Sequence, residues 1–169
     1  MDARAHAEID PALPPRRRSG NLVLVQDARG DVLLVRPTYR RGRWQLPGGG
    51  ADADEPPHEA AQRELLEETG LTVPVTGVVA LDYVPARDGQ AEGYNTVFTI
   101  GRRLTASEAA AVAIPEAARA ELDALRFVRP ERLDDYGTPQ QVRRIRSSLS
   151  AVEEGRVLPI LVLGARVAT

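Results

Sequence analysis

The 169-residue chain contains no cysteine. That excludes disulfide bridges, thiolate catalysis and cysteine-ligated zinc, and it suits a reducing compartment. Lysine is absent as well, so all 22 basic side chains are arginine. With lysine go the P-loop side chain that reaches nucleotide phosphates, the Schiff-base amine and the Ser-Lys nucleophile. Any phosphate clamp here must be built from arginine, whose planar fork meets phosphate oxygens two at a time. No apolar run approaches the roughly 18 residues needed to cross a bilayer. No charged-then-apolar leader opens the sequence, so a cytoplasmic location without a membrane partner is expected. A net charge of −2 offers no bulk attraction to nucleic acid. With 43% hydrophobic and 27% charged residues the composition is that of an ordinary globular protein. The length suits one domain with a sizeable core.

What the chain does contain is concentrated between Trp44 and Leu71. Trp44-Gln45-Leu46-Pro47 leads into Gly48, Gly49 and Gly50, and an acidic stretch follows as far as Pro56 and Pro57. Those prolines suit a first helical turn, whose N–H groups have no partner anyway, and Gly70 suits the left-handed residue past the last turn. The spacing predicts a helix over 57–69. At about 100° per residue Glu64, Glu67 and Glu68 fall on one face of it. Like charges so placed repel by a few tenths of a kcal/mol per pair. Glu67 and Glu68 also lie in the last turn, where the helix dipole disfavours anions. Stability alone does not select this arrangement. A hard divalent cation does, because Mg²⁺ takes oxygen ligands and bridges carboxylates to substrate phosphates. A bare Glu-x-x-Glu-Glu also occurs as a solvated helix end, so the surrounding residues decide.

Those residues resemble the signature of the Nudix hydrolases, G-x5-E-x7-R-E-U-x-E-E-x-G-U, in which U is a bulky aliphatic residue. Gly49, Glu55, Arg63, Glu64, Leu65, Glu67, Glu68, Gly70 and Leu71 occupy its nine fixed positions without a gap. Asp54 departs from it, standing where many members have glycine. The resemblance implies an α/β (α+β) fold, the family's α/β/α sandwich with a mixed β-sheet between helices. It also implies Mg²⁺-dependent cleavage, with Mn²⁺ as substitute, of the diphosphate in a nucleoside diphosphate linked to another moiety. ADP-ribose, a nucleotide sugar and a nucleoside triphosphate, oxidised ones included, all belong to that class. The partner expected is thus a small-molecule nucleotide.

By the same resemblance Glu64, Glu67 and Glu68 are metal ligands, joined by the carbonyl of Gly48 or Gly49. Glu55 and Arg63 form a buried pair fixing the loop against the helix, and Leu65 and Leu71 belong to the core. The general base in many members is a glutamate from outside the signature. Glu121, six residues ahead of Phe127, is best placed, Glu116 is second, and Glu64 itself is a third option. The arginines before the signature (Arg36, Arg40, Arg41 and Arg43) lie beside the substrate in this reading, with Arg36, Arg40 and Arg43 taken as phosphate ligands. Tyr39 or Trp44 is placed to stack on a nucleobase, Trp44 having core packing as its competing role. A nucleotide-sensing module without catalysis is the rival reading, but such modules typically lose signature carboxylates.

The rest of the chain supplies scaffold. Residues 1–19 read as a mobile arm, whose Arg16, Arg17 and Arg18 either touch a phosphate or a partner or are simply solvated. Residues 20–169 form the single domain. Leu22–Val25 and Val32–Val35 are expected to form a hairpin of buried strands. Thr72–Val84 and Tyr94–Ile100 are strand-like, and the polar loop between them is a rim where specificity can reside. Residues 105–124 predict a short helix, a loop at Pro115 and a second short helix. Leu125–Val128 predicts a strand and Pro130–Leu133 a single turn. Val142, Ile145, Leu149 and Val152 recur at helical spacing over 139–154, and His58 is expected to be exposed. Pro159–Leu163 reads as an edge strand or a homodimer contact.

Overall fold

The computed structural model describes residues 16–39, 42–87 and 89–168. The strands are β1 (Arg18–Leu24), β2 (Val32–Pro37), β3 (Gly48–Gly50), β4 (Gly77–Val84), β5 (Gly93–Thr99), β6 (Leu122–Val128), β7 (Leu161–Val162) and β8 (Ala165–Arg166). The helices are α1 (Pro57–Thr69), α2 (Ala106–Ala111) and α3 (Pro139–Glu153), with 3-10 turns at Glu116–Ala120 and Pro130–Asp135. A mixed sheet runs in the order β3-β1-β5-β4, with β1 antiparallel to β3, parallel to β5, and β4 antiparallel to β5. Strands β2 and β6 form a separate antiparallel pair.

Alternation along β1 sends its residues to two cores. Val23 joins Phe98, Ala61 and Leu65 under α1, whereas Leu22 and Leu24 join Val97, Val142, Ile145 and Leu149 under α3. The fold is therefore the α/β/α arrangement, with a mixed sheet between helices. No described helix is long and apolar enough to cross a membrane.

Helix α1 has the predicted bounds, opening on proline and closing on Gly70 in the left-handed conformation at φ 72°. Asp54 takes φ 61°. It adopts the backbone that glycine adopts freely, and aspartate is among the few other residues that visit it. Helix α3 begins at a capping box, in which Thr138 and Gln141 each satisfy the other's backbone N–H.

Three expectations are corrected. The β1–β2 hairpin survives only at its turn, where Leu33 N–H donates to Val25 O and Gln26 bridges Val32. Beyond that the strands part into different sheets, because β1 finds β3 and β5 while β2 finds β6. Residues 17–19 do not belong to an arm: β1 begins at Arg18, whose Nε donates to Ala91 O, and Arg17 pairs with Glu92. Residues 1–15 lie outside the described part. His58 is not exposed; its side chain is 13% accessible and lies 3.9 Å from Glu59.

Candidate metal and catalytic site

Gly48 and Gly49 in β3 meet the signature glutamates of α1. Gly48 has φ 132°, which a side chain rarely adopts, and its N–H donates to Glu68 Oε2 at 2.7 Å. A Cβ on Gly49 would lie 2.4 Å from Glu64 Oε1, so only glycine leaves that carboxylate its place. Val23 N–H donates to Pro47 O, and Asn21 opposes Gly49. In an antiparallel pair of this register the backbone groups of Gly49 turn toward β1, whereas the Gly48 N–H turns away, toward Glu68 of α1.

Burial pushes the Glu68 carboxyl up to about 8 against the Gly48 hydrogen bond, and the charges of Glu64, Glu121 and Glu67 add to the rise. Burial likewise raises Glu64, opposed by Arg63 and assisted by Glu67 and Glu121. Glu121 arrives from outside the signature, at the end of the 3-10 turn, where Thr38 N–H donates to its carbonyl. Glu116 instead pairs with Arg119 in solvent. The structure thus brings Glu121, not Glu116, toward the signature glutamates.

Arg63 binds the loop to the helix. Its Nε and Nη2 donate to the two oxygens of Glu55 at 2.8 and 2.9 Å, and Nη2 also reaches Gly50 O. Asp52 N–H donates to the same carboxylate, which is held down near 2 chiefly by Arg63. The pair is not buried as expected: its side chains are 31% and 16% accessible. The cause is the helical position of Arg63, one turn before the exposed Glu67, at the solvent margin of α1.

Nη1 of Arg63 stands 3.1 Å from both Glu64 Oε1 and Glu67 Oε2, a cation between two of the expected ligands. Among the described residues no three acid or imidazole groups form a ready metal cage. Glu67 and Glu64 are held by the guanidinium and Glu68 by Gly48. The donor set is nevertheless all oxygen, carboxylates beside a backbone turn, and that chemistry fits a hard divalent cation.

Trp44 is 8% accessible and belongs to the core under α3. Its ring meets Tyr136 edge-on at 5.6 Å, with the guanidinium of Arg36 5.2 Å from its centroid and that of Arg126 at 6.0 Å. Core packing therefore prevails over nucleobase stacking for this residue. Arg36 also pairs with Asp123. Tyr39 and Arg43 are exposed on the same loop, and Arg40 and Arg41 lie outside the described residues. Arg126 and Tyr136 were not anticipated. The available signal was parity: Arg126, though exposed, shares a face of β6 with buried Leu122 and Val128.

The profile of the family described as NUDIX domain matches residues 15–148. The chain belongs to the Nudix family. An RNA pyrophosphohydrolase of Gluconacetobacter diazotrophicus is 44% identical over 66 residues, covering 34% of this chain and 38% of the relative. An ADP-ribose pyrophosphatase of Mycobacterium tuberculosis is 44% identical over 68 residues, covering 37% of this chain and 33% of the relative. The Nudix chain thus spans about a third of the length of these curated relatives. The NUDIX domain of Shewanella oneidensis NrtR, solved with ADP ribose, superposes with a TM-score of 0.68 at 18% identity, over 90% of this chain and 99% of that one. At that identity the likeness is one of Nudix fold.

Proposed function

We propose that the chain is a divalent-metal-dependent pyrophosphohydrolase, using Mg²⁺ or Mn²⁺, that cleaves the diphosphate of a nucleoside diphosphate linked to another moiety. One observation carries the reading. Glu121, at the end of a 3-10 turn packed against α1, adds its charge to the field at both Glu64 and Glu68, beside β3 glycines whose geometry excludes side chains. The signature relatives support it by name, one being an RNA pyrophosphohydrolase and one an ADP-ribose pyrophosphatase.

Glu64, Glu67 and Glu68 are the ligands, with the Gly48 carbonyl preferred over that of Gly49 because the β1 register turns Gly49 away. When bound, a divalent ion neutralises diphosphate charge and acidifies a water. Arg63 keeps Glu64 and Glu67 together on one side and Glu55 on the other, so it positions ligands and loop at once. Glu121 takes the proton of the attacking water as its oxygen bonds to phosphorus. The P–O bond to the bridging oxygen breaks, giving two phosphorylated products. Arg36 and Arg43 hold substrate phosphates, and Tyr39 offers an aromatic face at the rim beside Thr38 and Glu121.

The test is a Mg²⁺-dependent screen of ADP-ribose, nucleotide sugars, dinucleoside polyphosphates and nucleoside triphosphates with product separation. Cleavage at the P–O–P link is expected for at least one class. No cleavage of any class, with Mg²⁺ or Mn²⁺, refutes the reading.

A further inference from the structure

Helix α3 has a second organised face. Val142, Ile145 and Leu149 point into the core, whereas Gln140, Arg143, Arg144 and Ser147 stand at i, i+3, i+4 and i+7 and line a groove of about 450 Å³ against β4. Every one of these four side chains is a hydrogen-bond donor. The volume lies in the range of small-molecule sites. The opposite wall is edge strand β4 and the turn after it, contributing Asp82, Tyr83 and Arg87. Beyond Val78, which bridges Leu158, the outer side of β4 has no strand partner among the described residues.

The electrostatics of the groove are one-sided. Asp82 is the acid in its lining, and it is already taken by Arg144, whose Nε lies 2.6 Å from Oδ2. That pair forms a neutral floor with the Arg144 side chain only 11% accessible. Arg143 and Arg87 rise above it, and among the described residues neither has a carboxylate partner. The groove is also distinct from the glutamate site. Asp82 pairs with Asn95, Asn95 with Gly20, and Gly20 with Gly50, so three strand spacings separate β4 from β3. At roughly 4.8 Å each that is about 14 Å across the sheet.

We infer that this β4–α3 groove is a phosphate-binding site, in which Arg143 and Arg87 grip the phosphate of a nucleotide or similar phosphorylated small molecule over the Arg144–Asp82 pair. Guanidinium forks without acidic partners suit that chemistry, and the chain has no lysine to serve in their place. The site stands without any metal and does not depend on the catalytic reading.

Calorimetric titration of the full chain with ADP in excess chelator tests it, with adenosine as the uncharged control. ADP should saturate one site, adenosine none. The double variant Arg87→Ala/Arg143→Ala should weaken ADP at least tenfold, whereas Arg29→Ala, an exposed arginine of the β1–β2 turn, should bind as the native chain does. Both groove arginines are exposed, so the fold tolerates their removal. Absence of saturable binding, equal binding by the double variant, or an equal loss in Arg29→Ala overturns the inference. Where binding is lost as expected, kinetics with Mg²⁺ name the source. A raised KM at constant kcat in the double variant assigns the phosphate to a distal part of the hydrolysed substrate. Unchanged kinetics assign it to a separate ligand.

Discussion

Replacing Glu68 by glutamine separates what the carboxylate does for the fold from what it does for a metal. Without metal the side chain is pushed up to about 8 from an ordinary 4.5, chiefly by burial. Between those values the folded chain binds a proton that the unfolded chain has released, so stability falls as pH rises through the window. At 1.36 kcal/mol per unit the loss is on the order of 4–5 kcal/mol, complete above about pH 8 and absent below about pH 4. Glutamine keeps an oxygen to accept from Gly48 N–H and has no proton to lose. Glu68→Gln should therefore match the native chain near pH 4 and exceed it at pH 8 in chelator. At roughly 2–4 °C per kcal/mol for a domain of this size, the gain in melting temperature should be on the order of 10 °C. Saturating Mg²⁺ should narrow the gap, because binding stabilises only the chain that holds the ion, by about 2.7 kcal/mol at a hundredfold excess over its dissociation constant. The assay is thermal unfolding by circular dichroism at both pH values, with chelator and with Mg²⁺. A variant less stable than the native chain at pH 8 in chelator, or a gap that ignores pH, would refute the reasoning.

Glu121→Gln should lower kcat by about 10²–10⁴ with KM little changed, the mark of a lost general base; an unaltered kcat moves the base elsewhere. Arg63→Ala should lower the melting temperature and slow turnover together, since one guanidinium holds Glu55, Glu64, Glu67 and Gly50 O. An unchanged melting point would contradict the bracing role. Trp44→Ala should cost about 3–5 kcal/mol, as a buried aromatic does, and chemical denaturation would read it. Leu163→Asn should raise stability slightly, because leucine stands fully exposed at φ 50°, where asparagine is better tolerated; a drop in melting point would show that the leucine is needed there.

Local signals were the legible ones. Helix α1 carries its start in Pro56 and Pro57, its stop in Gly70 and its acidic face in the spacing of Glu64, Glu67 and Glu68, all within one segment. The apolar stripe along α3 is likewise local. What escaped depends on partners distant in sequence. Nothing within residues 22–35 tells that β1 will choose β5 and β3 while β2 chooses β6, because a turn fixes only its own two ends. The same holds for Trp44, whose burial depends on Tyr136 and Arg126, both more than eighty residues away. Glu55 and Arg63 were legible as a pair through the family resemblance, but their accessibility follows from where the helix margin meets solvent. The β4–α3 groove joins a helix face to a sheet edge, a juxtaposition that no single segment encodes.

Manganese binding followed by electron paramagnetic resonance addresses the metal directly. With a diphosphate compound present, the native chain should immobilise Mn²⁺ at a saturable site, and Glu64→Gln or Glu68→Gln should release it. Free Mn²⁺ throughout the titration of the native chain, or undiminished binding by both variants, would leave the clustered carboxylates without the ion on which the account depends.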